Sequence, residues 1–505
     1  MSSTDTVGDP RPGTGGASLT HITLIAAAAA MGGFLFGYDS SVINGAVEAI
    51  QGRFDVGPGT LGFTVASALL GCVLGAALTG QIADRLGRLP VMRIAGTLFL
   101  LSAIGSALPF TIWDLTAWRI LGGMAIGLAS VIAPTYIAEV SPAPYRGRLA
   151  SLQQLAIVLG IAASQLVNYA IAQIADGSAA NTLGPLQAWQ WMLAIETLPA
   201  LAYIALSFLI PESPRHLVRV NQTDRARQVL ARIEGPDAVQ DRISEIRRAL
   251  GTEVRPKLGD LAGRYGLLPI VWIGMGVSAF QQLVGINVIF YYSSSLWQSV
   301  GIDEGSSLLL SLFTSVVNII GTLIAIVLVD RIGRKPLLLI GSAGMTLALA
   351  TAALAFSNAT GQGEDVALPF AWGVIALIAA SSFVLFFALS WGVVVWVLLG
   401  EMFPLRIRAA AMGVATATQW LANWLVTVSF PAMSDWNLSL TYVIYALFAL
   451  LSLLFVWKFV SETKGKTLEE MQGCPAPPTP IRPQGPRTGP GGTPLPQNTM
   501  RPPPP

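Results

Sequence analysis

Charge is what this sequence has least of. Only 11% of its 505 residues are Asp, Glu, Lys or Arg, against about 25% in an ordinary soluble domain. A water-soluble globule is therefore excluded, and a mean hydropathy of +0.61 places the chain among polytopic membrane proteins. The formal net charge is only +2, which offers no basic face to nucleic acid. Cysteine is as scarce: Cys72 lies in an apolar run and Cys474 in the tail, with no disulfide framework and no metal spacing. The two histidines, His21 and His216, fall outside the apolar runs. No metal cluster, nucleophile–base pair or phosphate loop stands out, so the pattern calls for no enzyme and no cofactor.

What is abundant is apolar sequence. A membrane-crossing helix needs about 20 apolar residues, and twelve stretches qualify, at roughly 22–47, 60–83, 90–110, 113–138, 149–174, 189–210, 266–292, 306–329, 336–357, 370–400, 409–433 and 438–460. The first is too long for a cleaved signal peptide and is expected to remain as a span. With both termini inside, 28 of the 30 lysines and arginines fall on the inner side, the others being Arg53 and Arg119. The outer loops carry acids instead, among them Asp55, Asp176, Asp303, Glu364 and Asp435. That asymmetry sets the orientation. The expected organisation is a disordered tail at 1–21, a six-helix bundle at 22–210 and a cytoplasmic linker at 211–265. A second bundle follows at 266–460, then a tail at 461–505 that is Pro-rich and disordered from about 475. Within the linker, Ala226, Val229, Leu230 and Ile233, and then Val239, Ile243, Ile246 and Leu250, have amphipathic helical spacing.

The two halves repeat one another. Asp84-Arg85-x-Gly87-Arg88 follows the second span and Asp330-Arg331-x-Gly333-Arg334 the eighth. Glu139 and Arg146 follow the fourth span as Glu401 and Arg408 follow the tenth, with a proline three residues after each Glu. Glu212 and Arg215 come after the sixth, and Glu462 after the twelfth. Three matched pairs in one order, all on the inner face, indicate bundles related by an axis along the membrane normal. These acids and bases are expected to face each other across the boundary between halves, as a gate of pairs each weak enough to make and break.

Polar groups inside the spans are the candidates for function. Gln281, Gln282 and Asn287 lie in an apolar run with Tyr291 and Tyr292. An amide in hydrocarbon without a partner costs about 1–3 kcal/mol, so these should face protein, water or a ligand. On a straight helix Gln282 and Asn287 lie about 140° apart; they converge only if the helix breaks, and Gly285 is placed to allow that. Breaks at the midplane mark substrate sites in transporters. In the first half Asp39, Arg119 and Glu196 are ionisable residues within spans, where charge is costly and usually functional. Burial raises a carboxyl pKa and a nearby guanidinium lowers it, so an Asp39–Arg119 pair with Glu196 beside it suits a proton site; a static pair that only fixes packing is the other reading.

The doubled Asp-Arg-x-Gly-Arg motif resembles the signature of the major facilitator superfamily. Pro211-Glu212-Ser213-Pro214-Arg215, Arg119-x-x-x-Gly123, Gln281-Gln282-x-x-Gly285-x-Asn287 and Glu462-Thr463-Lys464-Gly465 resemble its sugar porter family. The resemblance covers roughly 22–471. It implies an all-α integral membrane protein with the major-facilitator fold, twelve helices in two pseudo-symmetric six-helix bundles, alternating access and a midplane site for a neutral monosaccharide. Carried over by motif, the sugar contacts are Gln154, Gln281, Gln282, Asn287, Asn318, Trp391, Trp396, Gln419, Trp420 and Asn423. Amides donate and accept, as sugar hydroxyls require. Tyr291 and Tyr292 are expected to form an outer lid. The family's proton symporters carry Asp at the Asp39 place, which implies a proton-coupled symporter for a glucose- or xylose-type aldose, working as a monomer in the plasma or inner membrane. An uncoupled uniporter and a non-transporting sugar receptor are the alternatives. The sequence departs from the family at Val393, where relatives often have proline, at Gln190, where arginine is common, and at Leu89 and Ser461.

Overall fold

The computed structural model describes residues 19–142, 145–251, 258–263, 266–360, 367–404 and 407–464. The Pro-rich tail and the first eighteen residues lie outside that range, as do the side chains of Arg146 and Asp330. Eleven helices are long and apolar enough to cross a membrane. Apolar sequence of this length can only be helical in hydrocarbon, where every backbone group must bond within its own segment.

In chain order the spans are Leu19–Val42, Pro58–Leu86, Arg88–Ala107, Ile112–Val140, Arg146–Ile174, and a sixth in two pieces, Ala188–Ala194 and Thr197–Leu209. The second half runs Pro269–Leu283 with Ile286–Gln298, Glu304–Ile332, Arg334–Phe356, Phe370–Leu389 with Trp391–Met402, and Arg408–Phe459. The last is two spans in one, because Asn437 inside it has extended backbone (φ −164°, ψ 103°). Counted so, the expected twelve are present. Between the halves lie the short helices Pro214–Arg219, Thr223–Ile233 and Val239–Gly251. Ala226, Leu230, Ile233, Val239 and Ile243 are buried there, following the amphipathic spacing.

Two of the sequence departures receive a structural role. Gln190 and Gln187 form a reciprocal capping box at the start of the sixth span, and the Gln190 amide also donates to Ala107 O at 2.8 Å. The tenth span, lacking proline, still breaks at Ser390 (φ −131°, ψ −85°), whose hydroxyl donates to Phe386 O at 2.6 Å.

The halves are packed in different ways. In the first, a Cβ on Gly71, Gly75, Gly123 or Gly127 would collide with the backbone of the facing helix, so the second and fourth spans touch main chain to main chain. In the second half four tight glycines abut aromatic rings, Gly274 on Phe403, Gly276 on Phe455, Gly285 on Tyr445 and Gly344 on Phe386, while Gly341 meets the Ser390 hydroxyl. Across the boundary the second span lies on the eleventh and the fifth on the eighth. Hydrogen bonds joining the halves gather at the end opposite the arginine motifs: Glu304 accepts from Ala179 N at 2.7 Å, Asn44 accepts from Ser294 N at 3.0 Å, and Gln165 donates to Phe290 O at 3.3 Å.

Candidate functional site

The seventh span breaks at Gly285, whose left-handed backbone (φ 84°, ψ 21°) starts the second piece. The break turns Asn287 back so that its Nδ2 donates to Gln282 Oε1 at 2.6 Å, closing the angle a straight helix would leave. Gln281 donates to Trp391 O at 2.8 Å, which ties the amides to the break in the tenth span. Asn318 is buried on the eighth span, and Gln419 and Asn423 are buried one helical turn apart on the eleventh. The Gln419 Oε1 is buried without a partner in the protein, and so is the indole N–H of Trp420. Gln154 is half-buried on the fifth span. No charged side chain is among these residues, so the cluster suits a neutral polyol.

The aromatic expectations divide. The Trp391 ring is fully buried and its Nε1 donates to Ser342 Oγ at 3.0 Å, so it braces the second half and its faces are not free for a ligand. Trp396, five residues on, is 38% exposed. Trp420 lies 5.7 Å from Phe36 of the first span, ring to ring. Tyr291 reaches Ser40 on the first span and Asn423 on the eleventh, and so straddles the boundary. Tyr292 does not: its hydroxyl donates to Thr427 O at 3.2 Å and its ring packs 5.2 Å from Phe430, both in the second half. Adjacent helical residues point about 100° apart, so only one of the two tyrosines can lie over the boundary.

In the first half Arg119 donates to Asp39 Oδ1 at 2.6 Å and to Asp39 O at 3.2 Å. Asp39, Arg119 and Glu196 are all buried, and Asp39 Oδ2, Arg119 Nε and Glu196 Oε1 have no hydrogen-bond partner. Glu196 stands within electrostatic range of both partners. Three ionisable groups with spare hydrogen-bonding capacity make this a strongly polar spot in the interior of that bundle.

At the arginine-rich end the motifs form two networks of the same wiring, each closed within its own half. Arg88 donates to both oxygens of Glu139, at 2.8 and 2.7 Å, and to Ala83 O at 3.2 Å. Glu212 accepts from the backbone N–H groups of Arg88, Leu89 and Ser213, and the Ser213 hydroxyl donates to Glu139 at 2.5 Å. In the second half Arg334 donates to Glu401 at 2.9 Å and to Val329 O at 3.2 Å, Glu462 accepts from Arg334, Lys335, Thr463 and Lys464, and Thr463 donates to Glu401 at 2.5 Å. The hydrogen bonds described here run within a half, where pairing across the boundary was expected. Gly87 and Gly333, at φ 103° and 105°, turn the chain so sharply that the next arginine points into its own bundle. Of the other motif residues, Asp84 pairs with Arg219 and Arg408 donates to Phe403 O at 3.1 Å, while Arg85 and Arg331 are exposed and Arg215 is half-buried.

Burial raises the Glu462 carboxyl, but the N–H donors of Lys464, Arg334, Lys335 and Thr463 outweigh it and hold it below the usual range. His216 has no counterpart in the second half. Burial pulls it below its ordinary value, with Glu212 and Glu139 acting against that and Arg88 and Arg219 with it.

The family profile described as sugar (and other) transporter matches residues 25–473. The chain belongs to the sugar porter family of the major facilitator superfamily. This transporter is 53% identical to a glucose transport protein of Synechocystis over 91% of the chain and 99% of that protein. It is 39% identical to the D-xylose-proton symporter of Escherichia coli over 91% and 97%. An inward-open structure of the Escherichia coli xylose transporter XylE matches with a TM-score of 0.76 at 36% identity, covering 90% of this chain and 99% of that one.

Sequence reasoning passed over several polar residues of the transporter that the fold places beside the predicted ones. Gln153, whose Oε1 is buried without a partner, adjoins Gln154; the buried Trp424 indole N–H is likewise unpartnered, one turn from Trp420. Both were legible as polar groups in apolar runs. Asn44 and Gln165 are a different case, because besides each other their partners are backbone atoms that no motif announces.

Proposed function

We propose that the protein is a proton-coupled symporter for a monosaccharide, an aldose of the glucose or xylose type, working by alternating access. Its relatives include a glucose transport protein and a D-xylose-proton symporter. The observation that carries the reading is the division of polar groups: a buried Asp39–Arg119 pair in one half and a charge-free set of amides in the other. In this reading Gln281, Gln282, Asn287, Asn318, Gln419 and Asn423 grip the sugar with Gln154 opposite, and Trp396 and Trp420 supply ring faces. Tyr291 covers the sugar from outside. Proton binding to Asp39 neutralises the carboxylate and frees Arg119, and Glu196, the second buried carboxyl, tunes the balance.

The distribution of basic residues supports placing the arginine-rich end in the cytoplasm. The contacts between halves then lie on the outer side, and the arrangement corresponds to an inward-facing state. The two arginine–glutamate networks act as clasps that keep the inner ends of each bundle in register while the bundles rock. The transporter works as a monomer, without a catalytic step.

The test is uptake of labelled glucose and xylose into proteoliposomes with an imposed pH gradient. Accumulation above the external concentration is expected. Asp39→Asn should abolish accumulation yet retain sugar counterflow. A uniporter would equilibrate sugar and never concentrate it, and accumulation that survived in Asp39→Asn would remove the proton role.

A further inference from the structure

The tenth span breaks without a proline, and the ninth span supplies what holds the break in shape. A Cβ on Gly341 would collide with the Ser390 hydroxyl, so the ninth span comes up against the residue at the break. The next residue, Ser342, accepts from the Trp391 indole N–H at 3.0 Å. Ser342 Oγ also lies 2.8 Å from Ser452 Oγ on the twelfth span, and both serines are fully buried. Ser452 donates its one proton to Ala449 O at 2.7 Å. It is therefore the acceptor toward Ser342. The bonds run one way, from the indole N–H to Ser342, to Ser452 and on to Ala449 O. A second row ends on the same tryptophan. Asn287 donates to Gln282 at 2.6 Å, Gln282 to Gln281 more loosely at 3.5 Å, and Gln281 to Trp391 O at 2.8 Å. Trp391 is thus the joint between the serine pair and the amides.

We propose that Ser342 and Ser452 are positioning residues for the sugar grip: they fix the Trp391 ring, and with it the carbonyl on which the row of amides ends. The proposal rests on the transport reading above. Within a helix the main-chain bonds orient each residue, but Ser390 lies outside the helical range (φ −131°, ψ −85°), so the residue after it needs another restraint. The serine pair supplies one. The Trp391 ring is fully buried, where an indole N–H without a partner costs more than the bond itself contributes, so the ring keeps to Ser342. On the other side, Gln281 is held by the Trp391 carbonyl, Gln282 by Gln281 and Asn287 by Gln282, so the row is only as precise as its last acceptor. The hydrogen bonds of the serines go to Trp391, to each other and to main chain, so they act on the grip through Trp391.

The test uses the full chain, in lipid nanodiscs for spectroscopy and in proteoliposomes for counterflow. Ser342→Ala removes the acceptor of the indole. Thr346→Val is the control, since that hydroxyl, one turn along the same span, donates to Ser342 O. With fluorotryptophan in place of tryptophan, the fluorine NMR resonance of Trp391 is assigned by its loss in Trp391→Phe. Ser342→Ala is expected to shift or broaden that resonance, and Thr346→Val to leave it in place. In counterflow of labelled glucose and xylose, Ser342→Ala should raise half-saturation about five-fold, the order of one net hydrogen bond, at unchanged maximal rate. Ser452→Ala, one bond further away, should raise it about two-fold. Ser342→Ala should add little in a Trp391→Phe background, because the N–H through which it acts is gone. A role in packing alone would keep its full effect there. Should Trp391→Phe fail to fold, Trp391→Met, which also lacks the N–H, replaces it. An unmoved Trp391 resonance in Ser342→Ala overturns the proposal. So does an unchanged or lowered half-saturation, or an undiminished effect in the Trp391→Phe background. The resonance needs neither sugar nor gradient, so it still decides the positioning if the parent protein moves no sugar, an outcome that removes the transport reading instead.

Discussion

The two halves share a plan and differ in what they hold. Each has the glycine turn, the arginine on a glutamate and the second glutamate capping backbone N–H groups, wired almost bond for bond. Yet the Arg88–Glu139 pair is 5% and 9% exposed, and the Arg334–Glu401 pair 11% and 35%. Higher in the bundles the contrast sharpens: an ion pair with a second acid in the first half, linked amides in the second. Symmetry builds the frame, and the departures from it carry the chemistry. On the proposed function, the ion pair of one bundle would read the proton and the amides of the other the sugar, and the boundary between them is where the two readings would meet.

The comparison is broken most severely by moving the neutral grip. Gln282→Leu removes both the acceptor for Asn287 and a donor to sugar, and leaves the Asn287 amide unpaired. Half-saturation should rise about 100-fold, two hydrogen bonds at about 1–1.5 kcal/mol each, measured by counterflow. The same substitution at Gln154, in the first half, should cost about ten-fold. Equal effects would deny that the second half dominates the grip.

The clasps offer a milder test. Glu139→Gln leaves a buried Arg88 without its counter-charge and should destabilise the protein by about 3 kcal/mol. Glu401→Gln, beside a wetter pair, should cost about 1 kcal/mol. Thermal unfolding of the two variants in one detergent gives the ranking, and a reversed order would contradict the burial argument.

The smallest effect concerns pH at the arginine-rich end. His216 is depressed from 6.5 in the folded protein, so the unfolded chain takes up a proton first as pH falls. Stability is therefore fully present above about 6.5 and declines as pH drops from there through the folded value. His216→Gln should flatten that decline by a few degrees in Tm. Glu462 is also depressed, but from 4.5, so its contribution is lost only below that range. A decline near pH 6 that persists in His216→Gln would assign it to other groups.

Much of this was legible in the sequence wherever a signal is local. Span lengths, the repeated motifs and the break at Gly285 all depend on neighbouring residues. What could not be read depends on how each helix is rotated and on which backbone it meets. Trp391 and Trp396 look alike in sequence, but one is locked on Ser342 and the other is open. Tyr291 and Tyr292 are adjacent, and a turn of 100° gives them opposite surroundings. The clasps were expected across the boundary because motifs show charge and not direction; the positive φ of Gly87 and Gly333 supplies the direction. The break at Ser390 formed without the proline that usually marks it.

The glycine seams bear on how such a protein can change. In the first half, an added methyl at Gly71 or Gly123 meets a facing main chain, which cannot step aside. In the second, the same methyl at Gly274 meets the far edge of the Phe403 ring, which can swing. The seam between the second and fourth spans is thus brittle to mutation, and the contact of Gly274 with Phe403 has slack. An alanine scan of the glycines scored by surface expression would map which seams tolerate a methyl along the chain.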